Sequence, residues 1–304
     1  MAGPDKNIVH FEGALVPESE ARISVLSPAI SRGPIAYETM RGYWNEDRGN
    51  LYLFRLRDHL ARLNASMKIL RFQELFRLED MTDWLLDVVR ANKIVADIHI
   101  RILVYPVDQG GAGRTSAQSG IVISAEPRPA RETGLANCQV SSWLRRGGDS
   151  HPARVKAVGL RMFARAALAQ AEMDGYTDLI IQDERGKIIE ATSSNVFIVR
   201  RGVLATPAAT DQILEGITRD TILAIADDLG IACCERVVDR TELYDCEEAF
   251  LCSTGLEVLP ISAVDGLPVA SGTEGKITRT IASHYLSLVR GAVTKNDAWL
   301  TPVY

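Results

Sequence analysis

The chain has 304 residues, of which 46% are hydrophobic and 24% charged, and its net charge is −5. This balance gives no reason to expect nucleic acid or an anionic membrane as a partner, because both attract an excess of basic residues. No apolar run is long enough to cross a bilayer, and the first residues lack the charged start and apolar centre of a signal peptide. We therefore expect a cytoplasmic protein.

The cysteines do not indicate a metal site. They show no CxxC spacing and no accompanying histidine cluster, so we expect reduced thiols that pack in the interior and no bound metal. The five residues are Cys138, Cys233, Cys234, Cys246 and Cys252.

The first part of the chain predicts strands and helices around one sheet. "NIVHFEGALVP" predicts a hairpin that turns at Glu12 and Gly13. "RLRDHLARLNASMKIL" and "EDMTDWLLDVVRAN" repeat apolar residues at helical spacing, and "DIHIRILVY" and "GIVISAEP" predict two strands. The stretch "RPARETG" has no periodicity. We therefore predict a smaller α+β domain over residues 1–130, a linker over 131–137 and a larger domain over 138–304.

The second part predicts a strand at "CQVSSW", a loop that contains Lys156, and a helix from about Gly159 to Met173. A meander of strands follows at "TDLIIQ", "KIIEATSSNVFIV" and "VLATP". "ITRDTILAIADDLG" predicts a helix with Thr218 as its N-cap, and "EEAFLCSTGLEVLP" predicts a buried strand that ends in a small-residue turn. This order indicates an α+β or mixed α/β fold, and it does not indicate a Rossmann fold because no GxGxxG follows the first strand.

Lys156 lies among small and apolar residues in "HPARVKAVGLR". Desolvation lowers the pKa of a lysine and makes the neutral amine available, which is the state that a Schiff-base lysine needs. Most lysines lie on solvated surfaces, so this stretch by itself leaves an ordinary surface role open.

Three stretches of the second part combine hydroxyl side chains with a helix start or a small-residue turn, namely "EATSSNVF", "GITRD" and "STGLE". Each could be ordinary capping, but backbone N–H groups and hydroxyls at such places also bind phosphate. Together with Lys156 they point to a phosphorylated aldehyde cofactor. Glu190, at the end of the apolar segment "KIIE", supplies the acid that a pyridinium ring requires.

The whole chain resembles the class IV aminotransferases of pyridoxal phosphate fold type IV, the group of branched-chain and D-amino acid aminotransferases. The similarity runs through "EGALVP", "YETMRG", "FRLRDHLARLNASMKIL", "RVKA", "IIEATSSNVFIVRRGVLATP", "ILEGITRDTILAIADDLGI", "EEAFLCSTGLEVLPI", "GKITRTI" and "WLTPV". It implies a two-domain fold, pyridoxal 5'-phosphate as the cofactor, and a homodimer or a higher assembly of dimers.

The resemblance also implies roles for single residues. Lys156 would carry the cofactor covalently and move the proton of the substrate Cα, and Glu190 would hold the pyridinium nitrogen. Without the resemblance, Arg62 would be a solvated charge on an amphipathic helix; with it, Arg62 binds the cofactor phosphate. The remaining residues implied for the cofactor are Ser193, Ser194, Ile217, Thr218 and Thr254.

On the substrate side the resemblance is divided. Arg101 in "HIRILVY" and the tail "WLTPV" favour the branched-chain type, whereas "TSSNVF" is closer to the D-amino acid type. The residues expected to contact the substrate are Arg32, Tyr37, His99, Arg101, Arg161, Gly255 and Leu256.

Several of these positions depart from the branched-chain pattern. Arg161 follows Leu160 where the family has Asn-Tyr, Arg32 stands at a tyrosine position, and His99 stands at another. Two interpretations stay open. In the first, Arg32 and Arg161 point outward or pair with carboxylates such as Glu38. In the second, at least one of them faces the pocket and favours a substrate with a second anionic or polar group.

The resulting prediction is transamination between an amino acid and a 2-oxo acid, by an enzyme most like a branched-chain L-amino acid aminotransferase whose substrate pocket is more polar or cationic. A D-amino acid or (R)-amine aminotransferase and an aminodeoxychorismate-type lyase stay open as alternatives. A non-catalytic relative is disfavoured, because a retired site has no physical reason to keep Lys156, Glu190 and Arg62 together.

Overall fold

The computed structural model describes residues 7–107, 118–129, 134–147, 152–210, 212–293 and 296–304. They form two compact units. Unit 1 takes its described residues from Met1–Ala130, Val155–Gly159 and Leu288–Tyr304, and unit 2 from Arg131–Arg154 and Leu160–Ser287. No helix within the described ranges is long and apolar enough to cross a membrane.

The grouping of two short segments differs from the domains predicted above. Residues 155–159 and 288–304 fall in the predicted second domain but pack in unit 1. The physical reason is backbone pairing, because Ala157 bridges Ala36 and Thr301 pairs with Leu53. The rest of the predicted division stays a prediction.

Unit 1 is built on an antiparallel sheet in which seven strands are described, in the order β17-β4-β3-β5-β6-β1-β2. The predicted hairpin at Glu12 and Gly13 is confirmed, since Phe11 pairs with Ala14. The elements are β1 Ile8–Phe11, β2 Ala14–Pro17, α1 Pro28–Arg32, β3 Ala36–Asn45, β4 Asn50–Phe54, α2 Leu56–Ile69, α3 Leu78–Ala91, β5 Ile98–Pro106, β6 Ser119–Pro127 and β17 Leu300–Pro302, with 3-10 helices at Glu18–Glu20 and Asp297–Trp299.

The two faces of this sheet differ in polarity along β5. Successive side chains of a strand point to opposite faces, and β5 carries Ile98, Ile100 and Ile102 on one face with His99 and Arg101 on the other. The isoleucines join an apolar core together with α2 and α3, whose buried side chains are spaced three and four residues apart. The face that carries His99 and Arg101 is the polar face of the sheet.

Unit 2 is built on a mixed sheet whose described strands run in the order β12-β11-β10-β14-β15-β7-β8-β9-β13, with β16 beside β15. Its elements are β7 Ala136–Arg145, α4 Arg161–Met173, β8 Asp178–Asp183, β9 Lys187–Ala191, β10 Asn195–Arg200, β11 Val203–Thr206, α5 Ile217–Asp228, β12 Cys233–Glu235, β13 Val238–Asp239, β14 Glu248–Ser253, β15 Glu257–Val264, β16 Leu267–Pro268 and α6 Lys276–Val289, with a 3-10 helix at Arg240–Tyr244.

Two predictions for unit 2 are wrong in detail. The expected meander is interrupted, because β9 pairs with β8 and β13 while the next strand, β10, pairs with β11 and β14. Thr218 is not the N-cap of α5. The helix begins at Ile217 with Gly216 as its N-cap, since Asp220 N–H already bonds to the Gly216 carbonyl at 2.9 Å.

Candidate active site

Lys156 is fixed at its backbone from both sides. Its carbonyl accepts the N–H of Tyr37 at 3.0 Å, and its own N–H donates to Ser66 Oγ on α2 at 3.1 Å. The next N–H but one, on Val158, donates to the Ile35 carbonyl at 2.9 Å. This short segment of unit 1 therefore runs alongside the start of β3, and the position of Lys156 follows that of the sheet.

The side chain of Lys156 lies against an aromatic ring. Its Nζ is 4.8 Å from the centre of the Tyr37 ring, within the range of a cation–π contact. Tyr37 is buried and Lys156 half-buried. Tyr37 was expected at the substrate, and the structure puts it next to the lysine that was expected to be catalytic.

A buried ion pair joins β3 to α2 beneath this segment. Glu38 lies on the helix-covered face of the sheet, and Arg62 donates to both of its oxygens, from Nε to Oε1 at 2.7 Å and from Nη2 to Oε2 at 3.0 Å. His59 Nδ1 lies 2.9 Å from Glu38 Oε2. His59 and Arg62 are three residues apart on α2 and so share one face of the helix. Arg62, rather than Arg32 or Arg161, is the partner of Glu38.

The polar face of the sheet in unit 1 concentrates cations around a histidine. Arg41 of β3 pairs with His99 of β5, and Arg101 follows two residues later on the same face. Burial, then the charges of Arg128, Arg101 and Arg41, lower the pKa of His99 to about 4. His99 is 7% exposed, and its Nδ1 has no hydrogen-bond partner among the described residues.

In unit 2, Glu190 is anchored at both carboxylate oxygens. Arg145 Nη1, at the end of β7, donates to Oε1 at 2.5 Å, and the backbone N–H of Leu214 donates to Oε2 at 2.9 Å. The same Arg145 nitrogen bonds to the Gln212 carbonyl at 3.1 Å. Glu190 is therefore held in one orientation next to the loop that leads into α5.

That loop also presents the first turn of α5. Asn195 Nδ2 donates to the Leu214 carbonyl at 3.1 Å, and a side chain at Gly216 would collide with Asn195. The first turn of a helix carries backbone N–H groups that have no acceptor within the helix, and Thr218 belongs to this turn. Ser194 is buried, and its hydroxyl has no hydrogen-bond partner among the described residues.

The other expected residues lie as follows. Thr254, Gly255 and Leu256 form the half-buried turn between β14 and β15, where Leu256 N–H donates to Ser253 Oγ at 3.2 Å. Ser193 is exposed in the turn after β9. Arg32 is exposed at the end of α1 in unit 1, and Arg161 is exposed at the start of α4 in unit 2.

Sequence reasoning missed several residues of these sites, above all His59, Arg145 and Arg128. A signal existed for Glu38 and its partners, because Glu38 alternates with Ala36 and Met40 on an apolar strand face and so required a partner. Arg145 offered only its position at the end of a strand, and nothing local connected it to Glu190.

Comparison with known proteins gives consistent results. Residues 35–264 match the family amino-transferase class IV. The chain is 33% identical over 311 residues to the branched-chain-amino-acid aminotransferase of Escherichia coli K12, covering 100% of this chain and 99% of the relative.

Two solved structures are similar to this chain over nearly its whole length. The branched-chain aminotransferase of Thermoproteus uzoniensis with norvaline is 39% identical, with a TM-score of 0.93 and coverage of 98% and 99% of the two chains. The branched-chain amino acid aminotransferase of Thermobaculum terrenum, in its PLP form, is 35% identical, with a TM-score of 0.94 and coverage of 99% and 100%.

Proposed function

The chain belongs to the class IV aminotransferases and is a pyridoxal phosphate-dependent transaminase, and we propose that it acts on L-amino acids and 2-oxo acids that carry a second carboxylate. The similar proteins are branched-chain aminotransferases. The observation that carries the finer proposal is the cationic polar face around His99.

The residues present fit the cofactor. Ser194 is a buried hydroxyl without a partner among the described residues, and the first turn of α5 offers N–H donors, so unit 2 has the donor set that a phosphate requires. Glu190 is a carboxylate fixed by two donors, as a ring-nitrogen partner must be. Unit 1 supplies the Lys156 amine and the Arg62 guanidinium.

We assign the following work to these residues. Lys156 holds the cofactor and moves the proton between the substrate Cα and the cofactor. Arg62, Ser194, Ile217, Thr218 and Thr254 bind the phosphate, with Ser193 beside them, and Glu190 keeps the ring nitrogen protonated. Pyridoxal phosphate, when bound, supplies the electron sink that makes the Cα proton removable.

The cationic face argues for the acidic substrate. Arg41, Arg101 and Arg128 are close enough to depress the pKa of His99, so their charges act on one small region. An aliphatic side chain gains little from such a region, because it offers neither a negative charge nor a hydrogen-bond acceptor. A carboxylate pairs with guanidinium in a two-donor arrangement, and the His99 ring can add a hydrogen bond. Arg32 and Arg161, together with Gly255 and Leu256, stay proposed substrate contacts.

The test is a comparison of amino donors by the visible absorption of the cofactor. We expect kcat/KM for L-glutamate to exceed that for L-leucine by about tenfold or more, which is about 1.4 kcal/mol of differential transition-state binding. D-alanine and a simple (R)-amine should leave the spectrum unchanged. Equal or higher efficiency with L-leucine would contradict the acidic substrate, and reaction with D-alanine or the (R)-amine would favour the other members of the family.

Two controls sharpen the result. Arg128→Gln removes one charge of the cationic face. It should reduce kcat/KM for L-glutamate and leave kcat/KM for L-leucine unchanged. Release of pyruvate from a substrate without any oxo-acid acceptor would indicate a lyase instead of a transaminase.

A further inference from the structure

Glu38 is the central acceptor of a buried network in unit 1. It is fully buried, and its Oε2 accepts from Arg62 Nη2, from His59 at 2.9 Å and from the N–H of Thr39 at 3.2 Å, while Oε1 accepts from Arg62 Nε. A buried carboxylate is costly unless its oxygens are paired. Here both oxygens are used, so the position of the carboxylate is fully determined.

The contacts within this network also set the protonation states of Glu38 and His59. Burial by itself would raise the pKa of Glu38, but Arg62 and His59 outweigh burial and hold that pKa well below its ordinary value. Burial lowers the pKa of His59, Glu38 opposes this, and Arg62 and Lys156 lower it further. Glu38 is therefore ionised and His59 neutral at neutral pH. Because an ionised carboxylate only accepts, the His59 proton lies on Nδ1.

The network fixes the direction of one guanidinium. Arginine donates from a planar group whose N–H directions are rigid relative to one another. Glu38 engages the Nε and Nη2 edge of Arg62, so the edge formed by Nη1 is turned away from Glu38. A long side chain that is already ordered loses less conformational entropy when it binds a ligand.

We propose that Glu38 and His59 are positioning residues that hold the Arg62 guanidinium in the orientation in which it binds the cofactor phosphate. This inference rests on the role proposed above for Arg62. Glu38 sets the plane of the guanidinium, and His59 restrains the carboxylate without adding a second positive charge to the network.

A purely structural ion pair and a positioning pair predict different binding data. Loss of a structural pair would affect the whole cofactor site. Loss of a positioning pair would affect only the contact with phosphate. The distinguishing quantity is the ratio of the Kd values of pyridoxal, which lacks the phosphate, and pyridoxal phosphate.

The experiment measures both Kd values by cofactor absorbance on the full-length chain after removal of its cofactor. Glu38→Gln keeps the shape of the side chain and removes its charge. We expect this variant to raise the Kd of pyridoxal phosphate about tenfold, within the range of measured coupling energies, and to change the Kd of pyridoxal less than threefold. The control Glu79→Gln removes an exposed carboxylate of the same unit and should change neither value.

The histidine gives an independent test that does not require removal of a buried charge. His59→Asn can place an amide donor where Nδ1 lies and should retain the affinity for pyridoxal phosphate, whereas His59→Leu should lose it. Equal loss of both ligands in Glu38→Gln, or an unchanged ratio in both Glu38→Gln and His59→Leu, would overturn the inference.

Arg62→Met separates the two proposals. It should raise the Kd of pyridoxal phosphate at least as much as Glu38→Gln does. The variant that combines Glu38→Gln with Arg62→Met should have a Kd no higher than that of Arg62→Met. If Arg62→Met leaves the ratio unchanged, the phosphate role of Arg62 fails. If it lowers the ratio while Glu38→Gln does not, only the positioning role fails.

Discussion

Tyr37 contacts Lys156 both through its backbone and through its aromatic ring. Its N–H donates to the Lys156 carbonyl at 3.0 Å, and its ring lies 4.8 Å from the Lys156 Nζ. The backbone contact survives any substitution other than proline, whereas the ring contact depends on the side chain. A substitution at Tyr37 therefore tests the position of the amine separately from the position of the chain.

Replacing Tyr37 with Leu should slow turnover because the Lys156 amine loses the ring that orients it. A cation–π contact contributes about 0.5–2 kcal/mol, so we expect kcat to fall about 2- to 30-fold. Tyr37→Phe keeps the ring and should retain most of the kcat of the natural enzyme. Equal loss in the two variants would mean that the hydroxyl, not the ring, matters.

Glu190→Gln should abolish most of the activity without unfolding unit 2. A neutral amide cannot hold a proton on the ring nitrogen, but its oxygen can still accept from Leu214 or Arg145. We expect kcat to fall by about 10²-fold or more, the scale of a lost acid–base group. Steady-state kinetics at saturating cofactor, with circular dichroism as the fold control, measures this. Retention of more than half of the kcat would exclude Glu190 from the ring-nitrogen role.

Ser194→Ala should separate stability from cofactor binding. The buried hydroxyl has no partner among the described residues, so its removal should leave the cofactor-free protein as stable as before or more stable by about 1 kcal/mol. The Kd of pyridoxal phosphate should rise, because one donor to the phosphate is lost. Ser283→Ala, at an exposed position of α6, is the matched control, and a loss of stability in Ser194→Ala would indicate a structural role.

His99 should make unit 1 less stable in mild acid. Its pKa is about 4 in the folded chain and 6.5 in the unfolded chain, so between these values the unfolded chain binds a proton that the folded chain does not. Stability therefore falls as pH is lowered through this window. Between pH 7 and pH 5 we expect the natural chain to lose about 1–2 kcal/mol more than His99→Gln, measured by chemical denaturation. Parallel pH profiles for the two chains would refute this.

Glu248 caps α6 and gives a prediction on stability alone. Its carboxylate accepts the N–H groups of Ile277 at 2.9 Å and Thr278 at 2.7 Å, and the Thr278 hydroxyl at 2.7 Å. Glu248→Ala should cost about 1–2 kcal/mol, as for other lost helix caps. Glu172→Gln, on the exposed side of α4, should be neutral in the same denaturation experiment. Equal unfolding free energies for Glu248→Ala and the natural chain would contradict the capping role.

Features that depend on local spacing could be predicted from the order of the residues alone. Helical periodicity predicted α2 and α3, alternation predicted β5 and β6, and the turn residues Glu12 and Gly13 predicted the first hairpin. The motifs around Lys156, Glu190 and Arg62 indicated the cofactor and the family, because each is a short stretch whose residue types are set by one chemical task.

Contacts between side chains that are distant in sequence could not be predicted in this way. Glu38 and Arg62 are 24 residues apart, and Arg145 and Glu190 are 45 residues apart. Such pairs are set by strand order, register and the helix face that packs on the sheet, and no local pattern contains that information. The same reason explains why the cluster around His99 emerged only from the pairing of β3 with β5, which brings Arg41 beside His99.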